Sequence, residues 1–479
     1  MSEKPDIQNI TEELPAEIGE IDLYQKREKI YTRKIEGFFQ RIRIFTGWPL
    51  LLGYFATPWL KWNGNQAILF DLPARKFHIF GLTLWPQDFP LLAWALIISA
   101  FLLFLVTKLF GRIWCGYSCP QTVWTSMFMW IEQRTEGTRN QRIKLDKAPW
   151  SFKKMTKKSI KHGLWLGLAF YTAFTFVAYF TSANELIISF FELSVNAWAL
   201  FWVGLFTLLT YLNAGWLREQ VCMYMCPYAR FQSVMYDPNT LAVSYNVARG
   251  EPRGSRKKDI DPKSQGLGDC VDCELCVQVC PTGIDIRNGL QYECIGCALC
   301  IDACDSIMDK MHYPRGLISY STENQLLGKG QKKNLFFRLD TLGYAFAISV
   351  MIALFTYTLA TRVPLKLDII RDRGQLYKIV DNTWVENTYT AKVMNMSNSK
   401  QTLHLKLSGN EYAEITGHQT IEIEPGELNE TRFRIRIDTM HTNQAVIPLT
   451  IEINSIGGEP LVASAETRFL SPGNTTSDK

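Results

Sequence analysis

The sequence predicts a multi-domain membrane protein: an α-helical membrane bundle of about five spans, an inserted ferredoxin-like α+β domain for two [4Fe–4S] clusters, and a C-terminal all-β Ig-like sandwich. Three observations predict it. Five apolar runs reach or approach the roughly 20 residues that a helix needs to cross a bilayer core. A doubled C-x2-C-x2-C-x3-C run lies between the fourth and the fifth. Beyond the fifth, apolar residues recur with period two between turn residues, as in short strands.

The chain of 479 residues is long enough for two or three domains. Its net charge of +5 is small and unevenly spread, so a nucleic-acid partner is not expected. No basic n-region followed by a short apolar stretch and a cleavage site opens the chain, so no removed signal peptide is expected. The predicted boundaries are 1–40 for a polar N-terminal cytoplasmic arm, loosely ordered or lying on the surface, and 41–240 for four spans. The ferredoxin-like domain follows at 241–338, the fifth span at 339–361 and the sandwich at 362–479.

Taken in order, basic residues gather at Lys26, Arg27, Lys29, Arg33, Lys34, Arg41 and Arg43 ahead of the first apolar run, 44–62, which Pro49, Gly53 and Pro58 interrupt. The others are 91–110, 163–180, 195–216 and 341–360, with Trp residues crowding their ends as at membrane interfaces. The loop after the second run is rich in Arg and Lys, including Arg112, Arg139, Arg142, Lys158 and Lys161, whereas the loop after the third carries only Glu185 and Glu192. Arg249, Arg253, Arg256, Lys257 and Lys258 follow the fourth run, and Lys329, Lys332, Lys333 and Arg338 precede the fifth. By the positive-inside rule the arm, that basic loop and the cluster segment lie in the cytoplasm, and the tail lies across the membrane. For a bacterial inner membrane, that puts the sandwich in the periplasm.

The first half of the cluster run holds Cys270, Cys273, Cys276 and Cys280; the second holds Cys294, Cys297, Cys300 and Cys304. Three closely spaced thiolates hold three corners of one cubane, and the fourth Cys of each run is aimed at the other cluster. The predicted ligand sets are therefore Cys270, Cys273, Cys276 and Cys304 for one, and Cys280, Cys294, Cys297 and Cys300 for the other. Structural zinc sites pair their ligands across a dozen or more residues and leave no role for the third Cys. Pro281 follows the first run, but Asp305 stands at the matching place in the second; Pro is not a ligand, so the assignment is unaffected.

The remaining cysteines form two C-x3-C-P motifs, Cys115 with Cys119 and Cys222 with Cys226, each just past the cytoplasmic end of a span. On a continuous helix the step of four puts both sulfurs on one face, and the following Pro disfavours helix at the second Cys. Soft thiolates suit Cu(I), and thioethers, here Met223 and Met225, extend such a set. A redox dithiol and a further iron–sulfur cluster stay open at this point. No C-x-x-C-H and no G-x-G-x-x-G after a strand occurs, and none of His78, His162, His312, His404, His418 and His441 faces another within an apolar run. Haem, flavin and NAD are not expected, so electrons come from an unidentified cytoplasmic protein or a quinol.

With these motifs in this order, the chain resembles the cytochrome c oxidase accessory protein family (CcoG, FixG, RdxA) over nearly its whole length. The resemblance rests on the basic arm, both C-x3-C-P motifs, the double ferredoxin run and the Ig-like tail. It implies a cupric reductase supplying Cu(I) for assembly of cbb-type oxidases, with copper chaperones, a copper transporter and oxidase assembly factors as partners beside membrane lipid. A homodimer stays open. The same resemblance matches Cys115, Cys119, Cys222 and Cys226 to the family's membrane motif. Two other classes remain in view: a quinol-oxidising electron-transfer subunit, and an assembly scaffold docking through the Ig-like domain.

Overall fold

The computed structural model describes residues 29–62, 64–258, 265–328, 337–372, 374–381, 383–397, 399–417, 419–442, 444–456 and 461–472. Of the residues used above, Lys26, Arg27, Lys329, Lys332, Lys333 and His418 lie outside them. The chain forms two compact units. One comprises Met1–Pro49, Phe110–Ala169 and Leu209–Lys332; the other comprises Leu50–Leu109, Phe170–Leu208 and Lys333–Lys479.

Among the described residues, three helices are long and apolar enough to cross a membrane: Pro86–Phe110, Ala197–Leu217 and Leu339–Ala360, with mean hydropathy of 2.6, 1.4 and 1.8. The other two runs are also helical, at Phe38–Ala56 and Phe152–Val177, but do not meet that measure. The reason is charge placement. Beyond Arg43 the first helix has about 13 residues, and beyond His162 the other has about 15. At 1.5 Å per residue these reach about 20 and 22 Å, short of a core of about 30 Å. Three helices, rather than five, qualify on length and composition.

In the second unit the tail is a two-sheet sandwich. One sheet runs Ala413–Gly417, Leu428–Asp438, Trp384–Asn395, Leu365–Arg371; the other runs Thr420–Ile423, Gln401–Ser408, Val446–Ser455, Val462–Leu470. All these neighbours pair antiparallel. Trp384–Asn395 alternates half-buried and buried residues along its length, so its period-two pattern sends Val385, Tyr389, Ala391 and Val393 into the core. Tyr389 stacks on Phe433 and donates its hydroxyl hydrogen bond to the Arg468 carbonyl at 3.0 Å. Elsewhere in this unit, Arg362 grips the Asp88 carboxylate through two nitrogens at 2.9 and 2.6 Å, and the Phe70 N–H donates to the Tyr179 carbonyl.

In the first unit the ferredoxin segment is closed by a two-stranded ribbon pairing Ala242–Tyr245 with Ile318–Ser321, packed on the helices Leu275–Val279 and Leu299–Met311. Against it stands the helix Ile113–Tyr117, followed by the helices Pro120–Glu136 and Arg139–Lys147. The expectation of a loosely ordered or surface-lying arm fails over residues 29–37. Thr32 is buried, the Arg33 N–H donates to the Gln278 carbonyl at 2.8 Å, and Tyr31 donates to Asp146. The segment has no hydrophobic period because backbone and polar hydrogen bonds fix it. Asp302 then caps the next helix, accepting from the N–H groups of Phe39 and Gln40 at 3.1 and 2.8 Å.

Phe433 is fully buried at the centre of the sandwich. Phe433→Ala is expected to cost the isolated 362–472 segment about 3–5 kcal/mol, read by urea denaturation.

Candidate functional site

The structure gathers the eight clustered cysteines around two cavities. One is lined by Cys270, Cys273, Cys276 and Cys304; the other by Cys280, Cys294, Cys297 and Cys300, with Cys276 at their common edge. These are the two crossed sets that the spacing predicts. The loops repeat in conformation as well as in sequence. Asp272 and Glu274 flank Cys273 with φ of 53° and 53°, and Gly296 and Ala298 flank Cys297 with 64° and 61°. Three of these four are not glycine, so left-handed backbone here is strain of about 1–3 kcal/mol per residue, kept because the loop must curl its amides round the cavity.

The donor chemistry fits a cluster. Burial pushes the Cys276, Cys294 and Cys304 thiols up to about 12, so an apolar cavity without a cation disfavours their thiolates. Iron bound in the cubane supplies that charge. Among the described residues no three His, Cys, Asp or Glu are drawn together at the spacing of a single metal ion; a cubane holds its thiolates at the corners of a larger tetrahedron. Around the first cavity Arg287 makes a two-nitrogen contact with Asp285 and reaches Asp272 at 2.5 Å. At the second, the Thr282 hydroxyl lies 3.2 Å from Cys280 Sγ; next to Cys304 of the first, Asp305 accepts from the Gly316 N–H at 3.0 Å. Asp305 thus does a turn-fixing job where the repeat would carry Pro.

The thiol pairs do not ride on continuous helices. Cys115 lies in Ile113–Tyr117, but Cys119 is extended (φ −60°, ψ 129°) and Pro120 restarts the chain as a new helix. Cys222 lies in a π-helical turn, Val221–Met225, and Cys226 is likewise extended before Pro227. The continuous helix that would put both sulfurs on one face does not form, and the break at the second Cys that the following Pro predicts does: each pair straddles it, with Pro at the first position of the next helix. The structure brings the two pairs together. Burial, then the mutual repulsion of Cys115 with Cys119, Cys222 and Cys226, pushes Cys115 up to about 12, and Cys222 behaves alike. Of the two thioethers, Met223 is half-buried and Met225 is exposed.

The two constellations meet through residues that spacing cannot flag. Gly116, between the first two thiols, lies directly on the second ferredoxin loop: a Cβ there would stand 2.9 Å from Cys297 Cα and from the Ile295 carbonyl. Arg43 Nε donates to the Gly116 carbonyl at 3.0 Å. Buried Arg112 donates to the carbonyls of Tyr292 and Ala229 and lowers the thiol pKa at both Cys115 and Cys294, placing one cation between the sites. Gln232, fully buried, accepts from Cys115 Sγ at 3.3 Å; Gln121 donates to the carbonyls of Asn213 and Arg218, tying the first motif to the turn before the second. The one sequence signal was position, since Gly116 and Gln121 lie in or beside a motif.

A second polar centre lies behind the thiols. Glu132, fully buried, meets Arg142 Nη1 at 3.1 Å and Arg218 Nη2 at 3.0 Å, with Lys29 at 3.6 Å and Lys161 at 3.9 Å. Burial alone would raise its pKa, but Arg218, Lys29, Arg142 and Lys161 outweigh that and hold it down at about 2.

Comparison with known proteins agrees with this geometry. Residues 217–323 match a 4Fe-4S dicluster domain, 92–137 a 4Fe-4S binding domain, and 355–472 the family described as the Ig-like fold at the C-terminus of FixG. Fold and site define a membrane-associated iron–sulfur electron-transfer protein. The chain is 38% identical over 422 residues to the nitrogen fixation protein FixG of Rhizobium meliloti, covering 81% of this chain and 80% of that one. It is 38% identical over 402 residues to protein RdxA of Cereibacter sphaeroides, covering 81% and 84%, and 39% identical over 389 residues to RdxB of the same organism, covering 78% and 80%. A crystal structure of a FixG-related protein from Vibrio parahaemolyticus aligns with 33% identity over 23% of this chain and 97% of that one, at a TM-score of 0.21. The chain belongs to the FixG/RdxA family.

Two outcomes follow from this geometry. Gly116→Ala must displace backbone at Cys297, so the second cluster is expected to lose occupancy or change its EPR line shape while the first keeps its own. Glu132→Ala leaves buried Arg142 and Arg218 without a carboxylate and is expected to cost about 3–5 kcal/mol, read as a lower melting temperature.

Proposed function

We propose that this protein is a cupric reductase that delivers Cu(I) for the assembly of cbb-type cytochrome c oxidase. The observation that carries it is the direct seating of the Cys115–Cys119 motif on the Cys294–Cys300 loop through Gly116. Cys270, Cys273, Cys276 and Cys304 hold one cluster in this reading, and Cys280, Cys294, Cys297 and Cys300 the other. Bound there, the clusters supply single electrons at potentials set by neighbouring hydrogen bonds and exposure. Cu(II) is the substrate. Cys115, Cys119, Cys222 and Cys226 receive it, and their soft sulfurs favour the reduced ion. Arg112, between the two groups, offsets negative charge on both sides. Gln232 orients Cys115. The copper chaperone or transporter that takes the product meets the exposed side of the second motif, where Tyr224 and Met225 stand in solvent.

This reading carries five membrane crossings. Parity supports it: the first and second thiol motifs share one unit, yet the candidate span Ala197–Leu217 lies between them, and a crossing by Phe152–Val177, short as its apolar part is, would return the chain to one side. The Arg33–Gln278 bond joins the N-terminal segment to the cluster segment, and a crossing by Phe38–Ala56 would balance Pro86–Phe110 in the same way. The excess of Lys and Arg on the cluster side favours the cytoplasm for that side and the periplasm for the Ig-like domain.

Protein with chemically reduced clusters is expected to convert Cu(II) to Cu(I), followed with a Cu(I)-specific chelator. Cys222→Ser and Cys115→Ser should each slow the conversion by about tenfold or more, an added barrier of about 1.4 kcal/mol. Wild-type rates in both variants would remove the thiol pairs from the reaction.

A further inference from the structure

Behind the thiol motifs, a cavity of about 290 Å³ opens between the helix Phe152–Val177 and the π-helical segment Tyr211–Leu217. Its size is at the lower end of small-molecule sites. Trp165 and Trp216 supply aromatic wall, the first buried and the second exposed at the rim. His162 reaches the wall with its Nδ1 held 2.8 Å from the Tyr211 hydroxyl. Lys161 and Arg218 both lie over the Trp165 ring, at 4.8 and 5.3 Å from its centroid.

Three features say what kind of molecule suits it. The cations are already answered by carboxylates, with Lys161 2.9 Å from Glu136 and Arg218 3.0 Å from Glu132, so the cavity does not ask for a phosphate or other anion. Glu132 lines it fully buried, and its Oε1 accepts no hydrogen bond, the Lys29 and Lys161 ammonium groups standing off at 3.6 and 3.9 Å, which leaves room for a neutral hydroxyl to donate to it. The cavity also lies at a boundary: the helix is basic up to Lys161 and apolar from Gly163 on, and the π-helical segment ends a candidate membrane span. A neutral aromatic diol dissolved in the bilayer meets all three.

The backbone here is built rather than incidental. Seven residues run as π-helix and end at Arg218, whose φ of 43° is left-handed in a non-glycine residue. Such segments cost stability and gather at functional sites. The next residue, Glu219, lines the cavity and acts electrostatically on Cys222. The cavity therefore adjoins the thiol motif.

We propose that this cavity is a quinol site through which the protein takes its electrons from the membrane. The proposal rests on the reading of the cysteine-bound clusters as one-electron acceptors. A quinol gives up two electrons and two protons and leaves as the quinone. The cysteine-bound clusters would supply the two one-electron acceptors; His162, with its Nδ1–H donated to the Tyr211 hydroxyl, would take one proton at Nε2, and solvent water the other. Glu132 accepts the hydrogen bond of one ring hydroxyl, and Trp165 and Trp216 hold the ring.

The test uses the full chain in detergent and two rim variants outside the buried ion cluster, His162→Gln and Trp216→Leu. Equilibrium dialysis with menadione is expected to show binding to the wild type and about tenfold weaker binding to each variant, at unchanged melting temperature. Menadiol should reduce the clusters of the wild type anaerobically and those of the variants correspondingly more slowly, while dithionite reduces all three fully. Copper reduction by dithionite-loaded protein should be equal in all three, which separates the donor site from the copper reaction. Absence of menadione binding to the wild type, or equal binding in both variants, overturns the proposal. So does a loss of dithionite-driven copper reduction in the variants, which would mark a general defect.

Discussion

Gly116 lies so close to Cys297 that no side chain fits between them. Because of that, the first C-x3-C-P motif and the second ferredoxin loop form one surface, and much of the first unit follows from it. The break at Cys119 and Pro120 turns the chain so that Gly116 can approach; Gln121, next in line, then reaches the carbonyls of Asn213 and Arg218 and draws in the second motif. Arg43 and Arg112 fill the remaining polar positions at the junction, Arg43 by holding the Gly116 carbonyl and Arg112 by lying between Cys115 and Cys294. A soluble ferredoxin fold needs none of these partners. Here the clusters are one face of a larger construction whose other face is the thiols.

The same unit is stapled by charge. Glu132 and Glu136 lie on one face of Pro120–Glu136 and gather Arg142, Lys158, Lys161 and Arg218 from three other segments. Isolated buried ion pairs barely repay their desolvation, and what such a network offers is geometry. It fixes the helix carrying the first motif against the start of Phe152–Val177 and the end of the π-helical segment. The left-handed residue Arg218 is tolerated because its guanidinium is bound at both the Gly215 carbonyl and Glu132.

What could be read from the sequence was whatever repeats at short range. The doubled cysteine run carries its own geometry, so both ligand sets could be written down from spacing, and the period-two segments led by Leu403, Ile421, Phe433 and Leu449 all became strands. Features that depend on distant partners were not legible. Residues 29–37 carry no period because Gln278, Asp146 and Arg142 hold them. Arg43 and Arg112 read as generic cytoplasmic charge, and nothing local marks Gln232 as a thiol partner. Span counting was only partly legible: of the five apolar runs, three became helices long and apolar enough to cross, because Arg43 and the basic residues up to His162 shorten the apolar part of the other two. The step of four within each thiol pair suggested a single helical face, and the Pro that follows decided otherwise.

The central claim is that eight cysteines hold iron while the other four handle copper at the adjoining surface. Metal analysis with EPR on anaerobically purified full-length protein, wild type against a variant with serine at Cys115, Cys119, Cys222 and Cys226, tests it most directly. The account predicts the same iron content and the same pair of interacting cluster signals in both, with copper retained after Cu(I) loading in the wild type alone. Loss of iron and of a cluster signal in the variant would contradict it, and would make the thiols ligands of a further iron–sulfur cluster.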